Sequence, residues 1–190
     1  MKIQKKFVNG GNGEDEDLQV KVDSLINTSP LFKKYISNPV ITQSDEDSPH
    51  GGHIEFLPPG ETDPDGNILN PHKSDMFKFY NKAKGLSNEE KINMIKGDFL
   101  HALRRDPKWS EMTNKVWNLR DSRAVEMDRE AYEISGDERN FDKWADINRK
   151  DAWVRAYLMG YDNWKAVFNN APPEQIQLLE EMKNYLKTGK

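Results

Sequence analysis

Residues 87–105 read SNEEKINMIKGDFLHALRR, and this stretch decides the predicted fold class. Ser87 followed three residues later by Glu90 is the capping-box pattern that begins a helix. Apolar side chains then recur at helical spacing, at Ile92, Ile95, Phe99 and Leu103. The stretch therefore predicts an amphipathic helix over residues 88–104.

Helical patterns continue through the rest of the chain. Asp106 and Pro107 supply an N-cap acceptor and a proline in the first turn of the next helix. Its apolar stripe has seven side chains: Trp109, Met112, Val116, Leu119, Met127, Ala131 and Ile134. The polar run at residues 120–123 interrupts this stripe and predicts a bend. Two further helices are predicted over residues 141–158 and from residue 173 onward.

The chain before residue 87 has a different pattern of apolar residues, with shorter predicted elements and longer connecting segments. Residues 18–35 predict two short helices separated at Pro30. Three short apolar runs then predict strands, at residues 40–42, 53–57 and 76–80. The connecting segments, 45–52 and 58–71, are long for a compact domain, and loops of that length are often functional.

These patterns together predict the fold class and the domain organisation. We expect an α+β fold, in which a mostly helical single domain contains a small antiparallel strand layer at about residues 40–80. Residues 9–17 read NGGNGEDED and contain no apolar side chain, so they cannot offset the entropy of ordering. We therefore predict a disordered tail over residues 1–17 and one globular domain over 18–190.

Composition excludes several classes of protein. The 190 residues include no Cys, which removes disulfides, thiolate zinc sites and Cys nucleophiles. No apolar run approaches the ~18 residues that cross a bilayer, so we expect a soluble protein without a membrane span. The 28 basic and 32 acidic residues are well mixed, which argues against nucleic-acid binding. The phosphate-loop, dinucleotide-binding and nucleophile-elbow motifs are absent from the sequence.

One polar face of the 88–104 helix is a candidate site. Asp98 and His101 lie opposite the apolar stripe and three residues apart, so they can hydrogen-bond to each other or hold one ligand together. The same residues also suit an ordinary solvated helix face, on which Asp98 pairs with Arg105. The spacing alone leaves both interpretations open.

Residues 97–101, GDFLH, resemble the active helix of the zincin class of zinc metallopeptidases, which carries the motif HExxH. His101 stands at the second His of that motif and Asp98 at the catalytic Glu. Gly97 stands where the first metal-binding His belongs. The resemblance implies a degenerate site, in which His101 is a metal ligand and Asp98 is catalytic only if the protein is an enzyme.

Other histidines are the candidates for the missing metal ligand. His50 and His53 form an HxxH pair in a Gly-rich segment and could reach one metal ion. A turn between two strands requires such glycines for its own backbone conformation. His72 is a further candidate. We expect no cofactor, with zinc as the alternative.

A wider resemblance supplies the functional expectation. Residues 53–109, 151–158 and 174–186 resemble poorly characterised proteins of tailed bacteriophages, some of which carry zincin-like modules. This resemblance implies a non-catalytic accessory or virion-associated protein that binds a phage structural or host protein. It also implies a location in the virion or in the cytoplasm of an infected bacterial cell.

Two other functions remain as alternatives. A zinc-dependent hydrolase of peptides or cell-wall cross-links would use His101 and Asp98, with His50 or His53 completing the metal site. A phage inhibitor of a host protein would use the acidic runs at residues 14–17 and 45–47 as phosphate mimics.

Two further carboxylate patterns favour structural roles. Residues 63–67, DPDGN, have the alternating oxygen donors of a calcium loop, but Ile68 and Ser74 stand where an EF-hand needs Gly and Glu. A turn explains them better. Asp151 lies on the apolar side of the 141–158 helix, and an ion pair with Arg155 or Arg139 is favoured over a catalytic acid.

Overall fold

The computed structural model describes residues 13–42, 53–57, 72–74 and 87–190. The chain forms two compact units, one from residues 1–28 and 36–96 and the other from residues 29–35 and 97–190. The described helices are α1 (Gly13–Asn27), α2 (Pro30–Tyr35), α3 (Asn88–Ala102), α4 (Pro107–Asn118), α5 (Ser122–Ser135), α6 (Phe141–Asn148), α7 (Lys150–Met159), α8 (Asp162–Phe168) and α9 (Pro173–Thr188). None of these helices is both long and apolar enough to cross a membrane.

The first unit contains α1, the beginning of α3 and three short strands. The strands β1 (Ser37–Thr42), β2 (His53–Leu57) and β3 (His72–Ser74) pair antiparallel in the order β1-β2-β3. Among the described residues of this unit, the buried apolar side chains are Leu18, Val22, Ile36 and Ile95. Asn88 at the start of α3 donates a hydrogen bond of 2.8 Å to Asp17 of α1.

The predicted α+β fold class is wrong, because the described part of the chain is mostly helical. Helices supply nearly all of the described hydrophobic core, with Ile36 as the exception. The three strands have three to six residues each. Strands this short add little surface for burial, so helix packing determines the class.

The predictions for the chain before residue 87 have mixed outcomes. The two short helices expected within residues 18–35 are confirmed as α1 and α2. Because α1 begins at Gly13, residues 13–17 of the predicted tail are helical, while residues 1–12 lie outside the described part. The predicted strand at 76–80 and the turn at 63–67 also lie outside it.

The second unit is a cluster of helices around large buried side chains. Helix α9 packs against α2, α4 and α7, and α4 also packs against α7. Among its side chains that are at most 1% exposed are Trp109, Val116, Trp153, Leu179 and Met182. Burial of this much apolar surface is the main stabilisation of such a cluster, at ~25 cal/mol for each Å².

Asp106 connects three helices of the second unit from a buried position. Its side chain accepts a hydrogen bond from the backbone N–H of Trp109, which confirms the predicted N-cap of α4. The same carboxylate accepts from the Tyr35 hydroxyl at 2.9 Å and from the Tyr185 hydroxyl at 3.2 Å. Those tyrosines belong to α2 and α9, so one carboxylate joins both helices to the start of α4.

Asp128 is a second buried carboxylate and is 0% exposed. It pairs with the guanidinium of Arg120 and accepts a bond of 2.8 Å from Arg149. The indole N–H of Trp153 lies 3.1 Å from both carboxylate oxygens. A buried carboxylate needs such partners, because an unpaired charge in the interior is very costly.

This network explains two errors in the predicted helices. The helix expected over residues 141–158 is divided into α6 and α7 at Arg149, whose backbone leaves helical geometry at φ −126° while its side chain reaches Asp128. The predicted stripe on α5 is also wrong, because Ile134 is 86% exposed and Met127 and Ala131 are partly exposed. Asp128, rather than these apolar side chains, lies on the buried face of α5.

Candidate functional site

His101 and Asp151 form the centre of the candidate site in the second unit. His101 lies in the last turn of α3, and Asp151 lies in the first turn of α7. The imidazole Nδ1 contacts a carboxylate oxygen of Asp151, with the His101 and Asp151 side chains 24% and 11% exposed. Fifty residues of sequence separate them. The packing of α3 and α7 therefore produces a His-Asp pair that the order of residues does not show.

Arg104 contacts the second nitrogen of the His101 imidazole. Its guanidinium lies 3.0 Å from Nε2 of His101. Because a guanidinium has only donors, Nε2 must accept this hydrogen bond, and the ring proton therefore resides on Nδ1 and is donated to Asp151. In this arrangement the protein itself engages both nitrogens of the imidazole.

Positive charges surround the Asp151 carboxylate. Burial by itself raises the pKa of Asp151, but the hydrogen bond from His101 and the charge of Arg155 outweigh it, so the pKa lies below its usual value. Nε of Arg155 is 3.2 Å from the carboxylate, one helical turn along α7. The predicted ion pair with Arg155 is confirmed, whereas Arg139 pairs with Asp137.

Gly97 lies beneath a cover formed by the end of α7. It is buried, and a Cβ added there would lie 3.2 Å from Sδ of Met159. The Tyr161 hydroxyl donates to the same sulfur at 3.3 Å. The Met159 thioether therefore fills the space into which a side chain at position 97, the position of the first zincin ligand, would extend. It leaves little room for an imidazole there.

Asp98 is partly buried one turn before His101. Burial raises the pKa of the Tyr161 phenol, and the charge of Asp98 acts in the same direction while Arg155 opposes it. Asp98, His101 and Arg155 therefore belong to one charged cluster with Asp151. The described contacts of this cluster are between protein groups.

Two other predicted metal ligands, His53 and His72, lie in strands of the first unit. His50 falls outside the described residues. His53 begins β2 and His72 begins β3, where the register pairs His72 with Phe56, three residues along β2 from His53. Within the residues that the structure describes, no three His, Asp or Glu side chains form a metal-ligand group.

The sequence interpretation missed most partners of Asp106, Asp128 and Asp151, which are the buried carboxylates among the described residues. It identified Asp106 as a cap and Asp151 as an ion-pair residue, but not the contacts with Tyr35, Tyr185 or His101. It missed Asp128 entirely. The only signal was a carboxylate four residues from the apolar Ala124, a spacing that exposed aspartates also show.

Comparisons with protein families, with curated proteins and with solved structures gave no match to this chain.

Proposed function

We propose that this chain is a non-catalytic accessory protein that acts by binding other proteins. One observation carries the proposal: both ring nitrogens of His101 are engaged by protein groups, Nδ1 by Asp151 and Nε2 by Arg104. An imidazole that binds zinc must present a lone pair to the metal, and a general base must present one to its substrate. His101 would have to give up Arg104 to do either.

The covered Gly97 supports the same proposal. A zincin-type helix needs two ligands four residues apart on one open face. Here Met159 lies against the first of these positions. The cluster is therefore better suited to join α3 and α7 than to hold a metal ion and a substrate.

The phage-type part of the proposal rests on the sequence resemblance of residues 53–109, 151–158 and 174–186. The partner would be a phage structural protein or a host protein, and the location would be the virion or the cytoplasm of an infected bacterium. The gene should then lie among phage genes. A position among metabolic genes of a cellular chromosome would contradict this part.

Metal analysis separates the proposal from a zinc-dependent hydrolase. We expect the native chain, purified without chelator, to hold less than about a tenth of an equivalent of zinc and to melt at the same temperature when zinc is added. His101→Ala should lower the free energy of unfolding by ~1–3 kcal/mol, because it removes one of the hydrogen-bond donors of the buried Asp151. About one equivalent of zinc that is lost in both His101→Ala and His53→Ala would overturn the proposal.

Site-specific photo-crosslinking tests the binding activity directly. A benzophenone amino acid would be placed at the exposed positions Ile147 and Tyr161, with the exposed Lys187 as the matched control, in cells that carry the gene naturally. We expect a discrete adduct with one other protein at one test position and none at Lys187. Absence of any such adduct, together with turnover of a peptide or cell-wall substrate, would contradict a non-catalytic binding role.

A further inference from the structure

Exposed basic side chains lie around the buried Asp106, where the end of α2, the start of α4 and the end of α9 meet. Lys33 and Lys34 are in the last turn of α2. Arg105 ends the short 3₁₀ helix between α3 and α4, which packs against α2, and Lys108 is in the first turn of α4. We call these four exposed residues, Lys33, Lys34, Arg105 and Lys108, the basic corner.

Two members of the basic corner are positioned by the contacts of Asp106. Nζ of Lys34 is 3.8 Å from the Asp106 carboxylate. Nζ of Lys108 lies 4.2 Å from the centre of the Tyr185 ring, and the hydroxyl of that ring donates to Asp106. One carboxylate and one aromatic ring therefore connect Lys34 with Lys108.

Little negative charge balances the basic corner. Asp106 is only 2% exposed, and its carboxylate already accepts hydrogen bonds from α2, α4 and α9. The next acidic residue along α4, Glu111, pairs with Lys115 at 2.6 Å. In the part of the chain that the structure describes, Lys33, Arg105 and Lys108 form no ion pair.

The basic corner differs in this respect from other charged surfaces of the second unit. Arg123 pairs with Glu126 at 2.8 Å, and Lys183 pairs with Glu180 at 3.1 Å. The whole chain has a formal net charge of −4, so the basic corner has the opposite sign to the protein that carries it. A local surface of one sign attracts ligands of the other sign.

We propose that the basic corner binds an acidic segment of another protein. Four cations on a small surface complement a short segment that carries several carboxylates. A nucleic acid fits less well, because its phosphates require a longer basic stripe and the acidic remainder of this chain would repel a long polyanion.

The interaction is weak and depends on salt. All four side chains of the basic corner are exposed, and attraction between exposed charges is screened by ions. Charge complementarity of this kind determines the choice of partner and the rate of association more than the affinity.

This inference extends the proposed function by giving the chemistry of a partner, and it rests on that function only because the partner is a protein. Its tests use a defined peptide. Absence of peptide binding would leave the non-catalytic role open to a partner of different chemistry. Conversely, a catalytic metal at His101 would leave the basic corner unchanged, so the two sets of experiments fail separately.

Fluorescence anisotropy of a labelled oligoglutamate peptide with the full chain tests the inference. Because the chain is acidic overall, binding of this peptide requires a local basic surface. We expect saturable binding that weakens steeply as salt is raised from ~0.01 M to ~0.15 M, over which the screening length falls from ~30 Å to ~8 Å. An oligoglutamine peptide of the same length should not bind. Absence of oligoglutamate binding at low salt would overturn the inference.

A charge-reversal variant tests where the peptide binds. Lys33→Glu combined with Arg105→Glu should raise the peptide Kd by at least about tenfold. The matched control combines Arg129→Glu with Lys143→Glu, which reverses one exposed arginine and one exposed lysine in α5 and α6 and changes the net charge equally. We expect the control to raise the Kd by less than about threefold. Equal weakening by the two variants would show that only net charge matters and would overturn the inference.

Two other occupants of the basic corner would give different results. A DNA duplex that binds more tightly than oligoglutamate, and that the same charge reversal releases, would make the corner a nucleic-acid site. Sedimentation equilibrium that shows self-association of the chain, lost in the charge-reversal variant, would place a second copy there. Either result would overturn the inference.

Carbodiimide crosslinking locates the contact in the unaltered chain, so it does not depend on the folding of a variant. The reagent joins a carboxylate of the peptide to a lysine amine as an amide only where the two groups touch. We expect amide links at Lys34 or Lys108, mapped by mass spectrometry, and little product at the exposed Lys143 and Lys165. An even distribution of links over these four lysines would overturn the inference.

Discussion

At the scale of single residues, the candidate site shows how tertiary contacts change the meaning of a motif. Asp98 and His101 were predictable as neighbours, because their spacing on one helix determines it. Asp151 as the partner of His101 was not, because the pair depends on the packing of α3 against α7. The identity of the segment that packs against Gly97 was likewise unpredictable, since nothing in the sequence connects that glycine to Met159.

Gly97→Ala provides a test of that cover. Alanine favours the helix over glycine by up to ~1 kcal/mol, but the new Cβ would lie only 3.2 Å from the Met159 sulfur. We expect the substitution to stabilise the chain by less than that amount. In a Met159→Ala background, where the sulfur is removed, the full gain of ~1 kcal/mol should appear in urea unfolding.

Equal gains from Gly97→Ala in both backgrounds would show that Met159 does not restrict the space over α3. The comparison is a double-mutant cycle, so the loss caused by Met159→Ala itself cancels.

At the scale of secondary-structure elements, the signals that begin helices were reliable. The Ser87 and Glu90 capping box is present, with the Glu90 carboxylate accepting from the Ser87 backbone N–H at 2.7 Å. Capping is local and can be read from neighbouring residues. Which face of a helix is buried was less predictable. Arg149 and Trp153, which are distant in sequence, bind Asp128 and thereby determine the inward face of α5. Helix α8 was not predicted at all.

The cap of α4 makes stability depend on pH. Burial raises the pKa of Asp106. Hydrogen bonds from the Trp109 N–H, Tyr35 and Tyr185, together with the charge of Lys34, outweigh this effect, so the pKa lies below its usual value of 3.8. The stabilisation is therefore complete well above pH 3.8 and is lost as the pH falls through the lower pKa of the folded state. We expect the free energy of unfolding, measured in urea, to decrease between about pH 5 and pH 2.

Two variants assign this pH dependence to Asp106. Asp106→Asn retains the ability to cap and removes only the charge, so its unfolding energy should decrease less steeply over the same range. Tyr185→Phe removes one of the donors and should give an intermediate slope. Identical slopes in all three proteins would mean that other carboxylates cause the acid sensitivity.

At the scale of the whole molecule, much of the second unit depends on one buried carboxylate, that of Asp128. Asp128 joins α5 and α7 with the segments around Arg120 and Arg149. Asp128→Asn leaves two largely buried guanidinium groups without their counterion, and breaking a buried pair in this way costs ~3–5 kcal/mol. We expect a loss of that size in urea unfolding monitored by tryptophan fluorescence.

Asp162→Asn is the matched control for Asp128→Asn. Asp162 also pairs with a basic residue, Lys165, but its side chain is 88% exposed. Removal of an exposed pair should change the free energy of unfolding by less than ~1 kcal/mol. Comparable losses for the two variants would show that burial of Asp128 adds nothing.

The tryptophans are distributed unequally between the two units, so the two units differ in tryptophan fluorescence. All five tryptophans lie between residues 109 and 164, within the second unit, so tryptophan emission carries no direct signal from the first unit. Trp153 and Trp164 also lie edge to face with their ring centroids 4.8 Å apart. Chromophores this close share their excited states and produce paired circular-dichroism bands of opposite sign. Those bands report, without any label, whether α7 and α8 remain in contact.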